Sequence, residues 1–298
     1  MVDKNEHYGS TGQGTSNHPT APHVAENAKP FVETTVAHAE ATLSQADPWQ
    51  QLKSFTRARI ALGRAGSSLP TKEILDFGLS HAMARDAVHL ALDVHALENN
   101  LNAQGLRTIH VCSKAADRAS YLLRPDFGRR LNDASRLQLE QLNTAPVDFL
   151  IVVGDGLSSL AIDRHAAPLI EAIQSILPEH WSLGSIVIAT QARVAIADEI
   201  AEILNARMVA MLIGERPGLS SPDSLGIYLT FNPKISCNDS DRNCISNVRP
   251  EGLGYNAAAK KLMWLAQEAA RIQASGVALK DESDHKELLV INLELGAQ

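Results

Sequence analysis

The stretch Val147-Asp148-Phe149-Leu150-Ile151-Val152-Val153-Gly154-Asp155-Gly156-Leu157-Ser158-Ser159 decides the fold class. Its first half is a nearly unbroken apolar run, and its second half is rich in turn residues. A strand apolar on both of its alternating faces has to be covered on both, which is the situation of a parallel sheet with helices on either side. The same character recurs at 107–111, 185–189, 208–213 and 227–231. Helical stretches accompany these segments at 158–176, interrupted at Pro168, and at 195–204 and 255–274. The alternation predicts an α/β domain over 105–281 built on a parallel sheet.

Before residue 105 the rhythm differs. Asp47-Pro48 reads as an N-cap followed by proline at the first helical position, with Trp49, Leu52 and Phe55 at helical spacing after it. A loop at 63–70 leads to a second helix capped by Thr71, where Leu75, Leu79, Met83 and Ala87 form a four-spaced row. Residues 47–104 are therefore expected to make a small helical domain. Residues 1–46 are rich in Thr, Ser, Asn, His, Gly and Ala and short of large apolar side chains, so a mobile, disordered tail is expected there. Segment 36–43 is its one faint amphipathic candidate. Residues 282–298 read as a C-terminal extension in which 288–291 could add an edge strand.

Composition limits the function. Hydrophobic residues make up 45% of the 298, enough for a large core. Lys and Arg number 27 against 34 Asp and Glu, a net charge of -7, which disfavours a nucleic-acid partner. The first residues are polar, unlike a secretory signal, and apolar runs such as 149–153 and 208–213 are too short to span a bilayer, so no membrane partner is expected. The three cysteines, Cys112, Cys237 and Cys244, are odd in number and widely spaced, which argues against a disulfide framework and for a reducing, cytoplasmic setting.

In an open α/β sheet, ligands sit beyond the carboxyl ends of the strands. Three loops leave those ends: Gly154 to Ser159, Thr190-Gln191-Ala192-Arg193-Val194, and Gly214-Glu215-Arg216-Pro217-Gly218-Leu219. They are expected to converge on one crevice. The first lacks the third glycine of a dinucleotide fingerprint and the closing glycine of a nucleophile elbow. A nucleotide-binding oxidoreductase and a free-standing hydrolase are both disfavoured on that ground. His81, Arg85 and His89 lie on one helical face and read as a solvated polar face. The segment Asp241 to Asn247 reads as a polar connecting loop, and Cys237 and Cys244 lack the companions of a zinc site.

Several of these segments resemble one family. Arg57-Ala58-Arg59-Ile60-Ala61-Leu62-Gly63-Arg64-Ala65-Gly66 with Leu69-Pro70-Thr71 is similar to the opening motif of the ethanolamine ammonia-lyase small (light) subunit. So are Leu123-Arg124-Pro125-Asp126-Phe127-Gly128-Arg129-Arg130-Leu131, Asp155-Gly156-Leu157-Ser158, the 214–219 loop, and Cys244-Ile245-Ser246-Asn247. The resemblance runs from about residue 47 to residue 281 in one order. It implies a small helical domain followed by a Rossmann-like domain. It also implies an adenosylcobalamin-dependent lyase that converts ethanolamine to acetaldehyde and ammonia by radical chemistry, active only with a large subunit, a β/α barrel, in a higher hetero-oligomer.

Carried over by motif, the cobalamin contacts would be Val194, Glu215 and Cys244, with no catalytic residue and no metal ligand on this chain. A core valine, a solvated or capping carboxylate and a buried thiol are the plainer readings of the same three residues. The D-x-H-x-x-G lower-ligand motif is absent, since Asp93-Val94-His95-Ala96-Leu97-Glu98 ends in glutamate. Base-on cobalamin is therefore expected. Some relatives enter a bacterial microcompartment through the amino-terminal extension. The runner-up is a cobalamin-binding or scaffold protein without lyase activity.

Overall fold

The computed structural model describes residues 47–283. The tail at 1–46 with its segment 36–43, and the candidate edge strand at 288–291, lie outside the described residues.

The described chain is an α/β fold on one six-stranded sheet of order β1-β3-β2-β4-β5-β6. Strands β1 (Thr108–Cys112), β2 (Val147–Gly154), β3 (Ile186–Thr190) and β4 (Ala206–Gly214) run parallel. Strands β5 (Leu225–Phe231) and β6 (Arg242–Val248) add on antiparallel beyond β4. Each of the five strands expected between residues 105 and 281 is present within two residues of its expected ends.

Two expectations are corrected. The sheet is mixed and not wholly parallel, because nothing helical separates β4 from β5. A short connection returns the chain antiparallel, whereas a parallel neighbour needs a crossover, usually a helix. The segment Asp241 to Asn247, read as a polar loop, supplies nearly all of edge strand β6. Its buried residues, Arg242, Ile245 and Val248, fall at three-residue spacing because the pairing with β5 shifts register between Leu225 and Ile227. That irregularity hid the two-residue period by which a strand is recognised.

The described residues form seven α-helices: α1 (Thr71–His89), α2 (Val94–Ala103), α3 (Arg118–Leu123), α4 (Asp133–Gln141), α5 (Ser159–Gln174), α6 (Ile196–Ile203) and α7 (Tyr255–Ile272). Strand β2 shows why both faces are covered. Phe149, Ile151 and Val153 join α2, α5 and α7 in one apolar cluster, while Leu150 and Val152 join α4 and α6 in a second. Burying side chains of this size stabilises the fold by about 1.5–3 kcal/mol each before entropy is charged against it. Helix α5 is not interrupted at Pro168 but passes through it. Its amino end is capped by Ser158, whose Oγ accepts the Ala161 N–H at 3.3 Å.

The segment before α1 is thinner than its pattern suggested. Gln50–Phe55 forms a 3-10 helix, not an α-helix, and Trp49 and Phe55 are exposed. Asp47 Oδ1 accepts the Trp49 N–H at 2.9 Å, a local turn bond that competes with helix entry. In α1 the cap position is held by Pro70, with no side-chain bond from Thr71. No helix among the described residues is long and apolar enough to cross a membrane.

Candidate functional site

Helix α5 leaves β2 onto one face of the sheet, and α6 leaves the neighbouring β3 onto the other. The chain thus departs from two adjacent carboxyl ends in opposite directions, which is the topological condition for a ligand crevice. The three loops meet there as expected. Asp155 joins the first to the second: its Oδ2 accepts the Gln191 N–H and its Oδ1 the Ala192 N–H, each at 2.9 Å. Glycines join the first to the third. Gly156 has φ +57°, and a Cβ there would stand 2.2 Å from the Gly214 carbonyl oxygen. No other residue tolerates both the left-handed backbone and that approach. The Leu157 N–H donates to the same carbonyl at 2.9 Å.

Asp155 is a link that sequence reasoning passed over as a turn residue. It is buried, and burial pushes its carboxyl above the ordinary range, opposed by the Ala192 amide and by Arg118. Arg118 Nη1 lies 3.3 Å from Asp155 Oδ2 and 3.4 Å from Gln191 Oε1, while its Nε donates to the Val88 carbonyl at the end of α1. Tyr121 lies beneath, fully buried, with the Arg118 and Arg193 guanidinium carbons 4.7 and 4.3 Å from its ring centre. Its hydroxyl donates to the Ala192 carbonyl at 3.0 Å. Burial raises the Tyr121 pKa, so the hydroxyl keeps its proton. The second loop is therefore held on a buried aromatic and cationic bed, and Val194 follows from it half-buried on the cluster beneath α6.

Glu215 and Cys244 come together by a different route. Glu215 follows β4, and its Oε2 accepts the Ser224 hydroxyl and, at 3.3 Å, the Asn247 main-chain N–H. Gly226 leaves room for it, since a Cβ there would stand 3.0 Å from Glu215 Oε1. Among the described residues nothing donates to that Oε1. Cys244 sits on β6 opposite Tyr228 of β5, and its thiol is exposed, 3.3 Å from Ser246 Oγ. Burial raises the Tyr228 pKa, and Cys244 and then Glu215 push it further the same way.

Tyr228 and Val194 both pack against the cluster that holds α6. Cys244 thus pairs with Tyr228, Glu215 lies against Gly226 and Asn247 on the same two strands, and Val194 shares the face of the sheet on which Tyr228 lies. Helix α6 reaches the start of β6, where Asp198 and Arg242 form a buried ion pair. Beyond that pair the sheet is open, with Tyr228 half-buried and Cys244 exposed. No motif in the sequence announced Tyr228. Only its pairing partners, Met211 and Cys244, identify it.

The remaining candidates stand apart from this face. His81, Arg85 and His89 are exposed on α1, as a solvated face should be. His95 is exposed on α2, and Asp93 caps that helix by accepting the Ala96 N–H at 3.0 Å. All three cysteines are free, and no cluster of three or more metal-ligating side chains occurs among the described residues.

A family model described as the ethanolamine ammonia-lyase light chain matches residues 46–280. A protein of Ralstonia nicotianae named ethanolamine ammonia-lyase small subunit is 55% identical over 249 residues, 82% of this chain and 92% of its own. Proteins of the same name from Pseudomonas syringae pv. tomato and Azotobacter vinelandii are each 54% identical over 242 residues. Those matches cover 80% of this chain, with 84% and 90% of the relatives.

Proposed function

The chain belongs to the ethanolamine ammonia-lyase light-chain family, and from that premise we propose that it is the small subunit of an adenosylcobalamin-dependent ethanolamine ammonia-lyase. It holds the cofactor against a large subunit that carries the ethanolamine site. The reading is carried by one observation, the match of the family over nearly the whole described chain, residues 46–280. The shape of the face around Tyr228 supports it.

That face suits a flat, largely apolar macrocycle rimmed with amide groups. Val194 and the Tyr228 ring offer apolar surface, and Cys244 offers a small, soft, uncharged contact. Glu215, anchored through Oε2, keeps Oε1 as an acceptor for an amide N–H. None of the three loops, nor β6, contains a histidine, so the lower ligand is assigned to the cofactor's own base. When bound, adenosylcobalamin supplies the radical chemistry that turns ethanolamine into acetaldehyde and ammonia. This chain's residues orient the ring and exclude water from one side of it. The assembly is a hetero-oligomer working in the cytoplasm or in a microcompartment.

Ammonia release from ethanolamine tests the reading. It is expected only when this chain, its large-subunit partner and adenosylcobalamin are all present. Silence from a mixture in which the two chains are shown to be folded and bound would remove the lyase assignment. In the active complex, Glu215→Gln is expected to raise the KM for adenosylcobalamin about fivefold to tenfold, the effect of weakening one hydrogen bond, with the KM for ethanolamine unchanged.

A further inference from the structure

Glu215 owes its setting to two donors, and buried charge stands behind both. Its Oε2 accepts the Ser224 hydroxyl and the Asn247 main-chain N–H. Ser224 lies on a segment clamped from α5: Ser158 Oγ donates to the Pro222 carbonyl at 2.7 Å, and Arg164 Nη1 to Asp223 Oδ2 at 2.8 Å. His165 Nε2 faces the same oxygen at 3.5 Å. Burial would raise the Asp223 carboxyl, but Arg164 and His165 together hold it below its ordinary value. It is therefore ionised at neutral pH, with Oδ1 facing Arg249 Nη1 at 3.9 Å.

Asn247, the second donor, has a left-handed backbone at φ +60°, a conformation that asparagine adopts more readily than most residues. Its side chain is held by Arg249, whose Nε donates to Asn247 Oδ1 at 2.9 Å. Arg249 is itself buried, and its Nη1 also stands 3.9 Å from Glu251 Oε2. One guanidinium thus spans both supports of Glu215: Asn247 through Nε, and the residue before Ser224 through Nη1. The turn at 247–253 does not need that side chain to close. The Leu253 N–H donates to the Asn247 carbonyl at 2.8 Å, the Arg249 N–H to the Leu253 carbonyl at 3.1 Å, and the Gly252 N–H to the Arg249 carbonyl at 3.0 Å. A buried ion pair is weak support for stability, because desolvation offsets its attraction, so its contribution here is to geometry.

We propose that Arg249 is a positioning residue for the cofactor contact: with Asp223 it fixes the two donors on Glu215 Oε2, so that Oε1 stays free to accept an amide N–H at the corrin rim. The proposal rests on the cofactor reading above. Arg249 acts through Glu215, not on the cofactor. A glutamate held before binding loses no rotamer freedom when the ligand arrives, and that is the source of the affinity.

Hydroxocobalamin binding to the complex of both subunits, measured by equilibrium dialysis, tests it through a double-mutant cycle. Glu215→Ala is expected to weaken binding about tenfold, and Arg249→Gln about fivefold. The double variant is expected to bind no more weakly than Glu215→Ala alone, because Arg249 then has nothing to position. Arg249→Lys keeps the charge toward Asp223 without the planar fork, and is expected to recover part of the loss.

A double variant whose loss is the product of the two single losses overturns the proposal, since Arg249 would then act independently of Glu215. Unchanged affinity in Arg249→Gln overturns it as well. Should Arg249→Gln fail to fold or to join its partner, the same cycle run with Arg249→Lys decides, with a smaller loss expected only while Glu215 is present. Full affinity in Glu215→Ala would remove that contact and the proposal with it. No hydroxocobalamin binding by the wild-type complex would instead remove the cofactor reading itself.

Discussion

Helices α1 and α5 carry comparable apolar rows and meet opposite fates. On α5, Ile162, Ala166, Leu169, Ile170 and Ile173 are wholly buried against the sheet and α7. On α1 the row Leu75, Leu79, Met83 and Ala87 is exposed by 67, 62, 47 and 3%, so that only its last member is covered. The difference lies in what precedes each helix. Helix α5 follows directly from a central strand, through a loop tied at both ends to its neighbours, and the crossover presses it onto the sheet. Helix α1 follows a 3-10 turn and an irregular segment; its carboxyl end is held by the Arg118 bond to Val88, and its earlier turns are met only by polar contacts of Lys53 with Glu73 and of Arg59 with Ser80, not by an apolar surface. Periodicity therefore reports helicity and amphipathicity, whereas burial depends on whether the topology delivers a surface to pack on.

The comparison is sharpened most by truncating one row and then the other. Ile170→Ala in α5 removes a fully buried side chain between β-sheet and α7, and a loss of about 2–5 kcal/mol in urea unfolding of the isolated chain is expected. Leu79→Ser in α1 is expected to change the same quantity by less than about 0.5 kcal/mol, as exposed positions generally do. A large loss from Leu79→Ser would show that α1 is covered in solution by the chain itself, and the contrast would fail.

A smaller effect concerns pH. His165 lies on the buried face of α5, with Nδ1 2.8 Å from the Tyr255 hydroxyl and Nε2 3.5 Å from Asp223. Burial pushes its pKa below the ordinary 6.5, a shift partly offset by Asp223 and Glu251 and reinforced by Arg164. With the folded value depressed, the unfolded chain takes up the proton first as pH falls through about 6.5, so that stability is lost on acidification. His165→Gln is expected to flatten this dependence between neutrality and mildly acidic pH, read as the shift of the urea midpoint with pH.

The strands were legible because their signal is local. Strands β2 and β4 are apolar at almost every position, which is what burial on both faces demands. Helices α6 and α7 began and ended close to their expected limits for the same reason. Strand β6 was not legible, since its polar residues face solvent on an edge and its register slips against β5. The second and third loops were identifiable as strand-end loops carrying Val194 and Glu215, but Cys244 entered only through the resemblance of its motif to a family.

Nothing in the residues of 123–131 said that Gly128 would lie against Arg193. What the sequence by itself determined is the set of strands and helices, the parallel core and the loops that had to leave its carboxyl ends. Those follow from hydrophobic period and turn chemistry within a few residues. Only the tertiary structure decided that β5 returns antiparallel, that Cys244 pairs with Tyr228, and that Asp155 reaches across to the amides of Gln191 and Ala192. Each of these joins groups eleven to several tens of residues apart. Such contacts depend on register and on close approach between backbones, neither of which leaves a trace in local pattern.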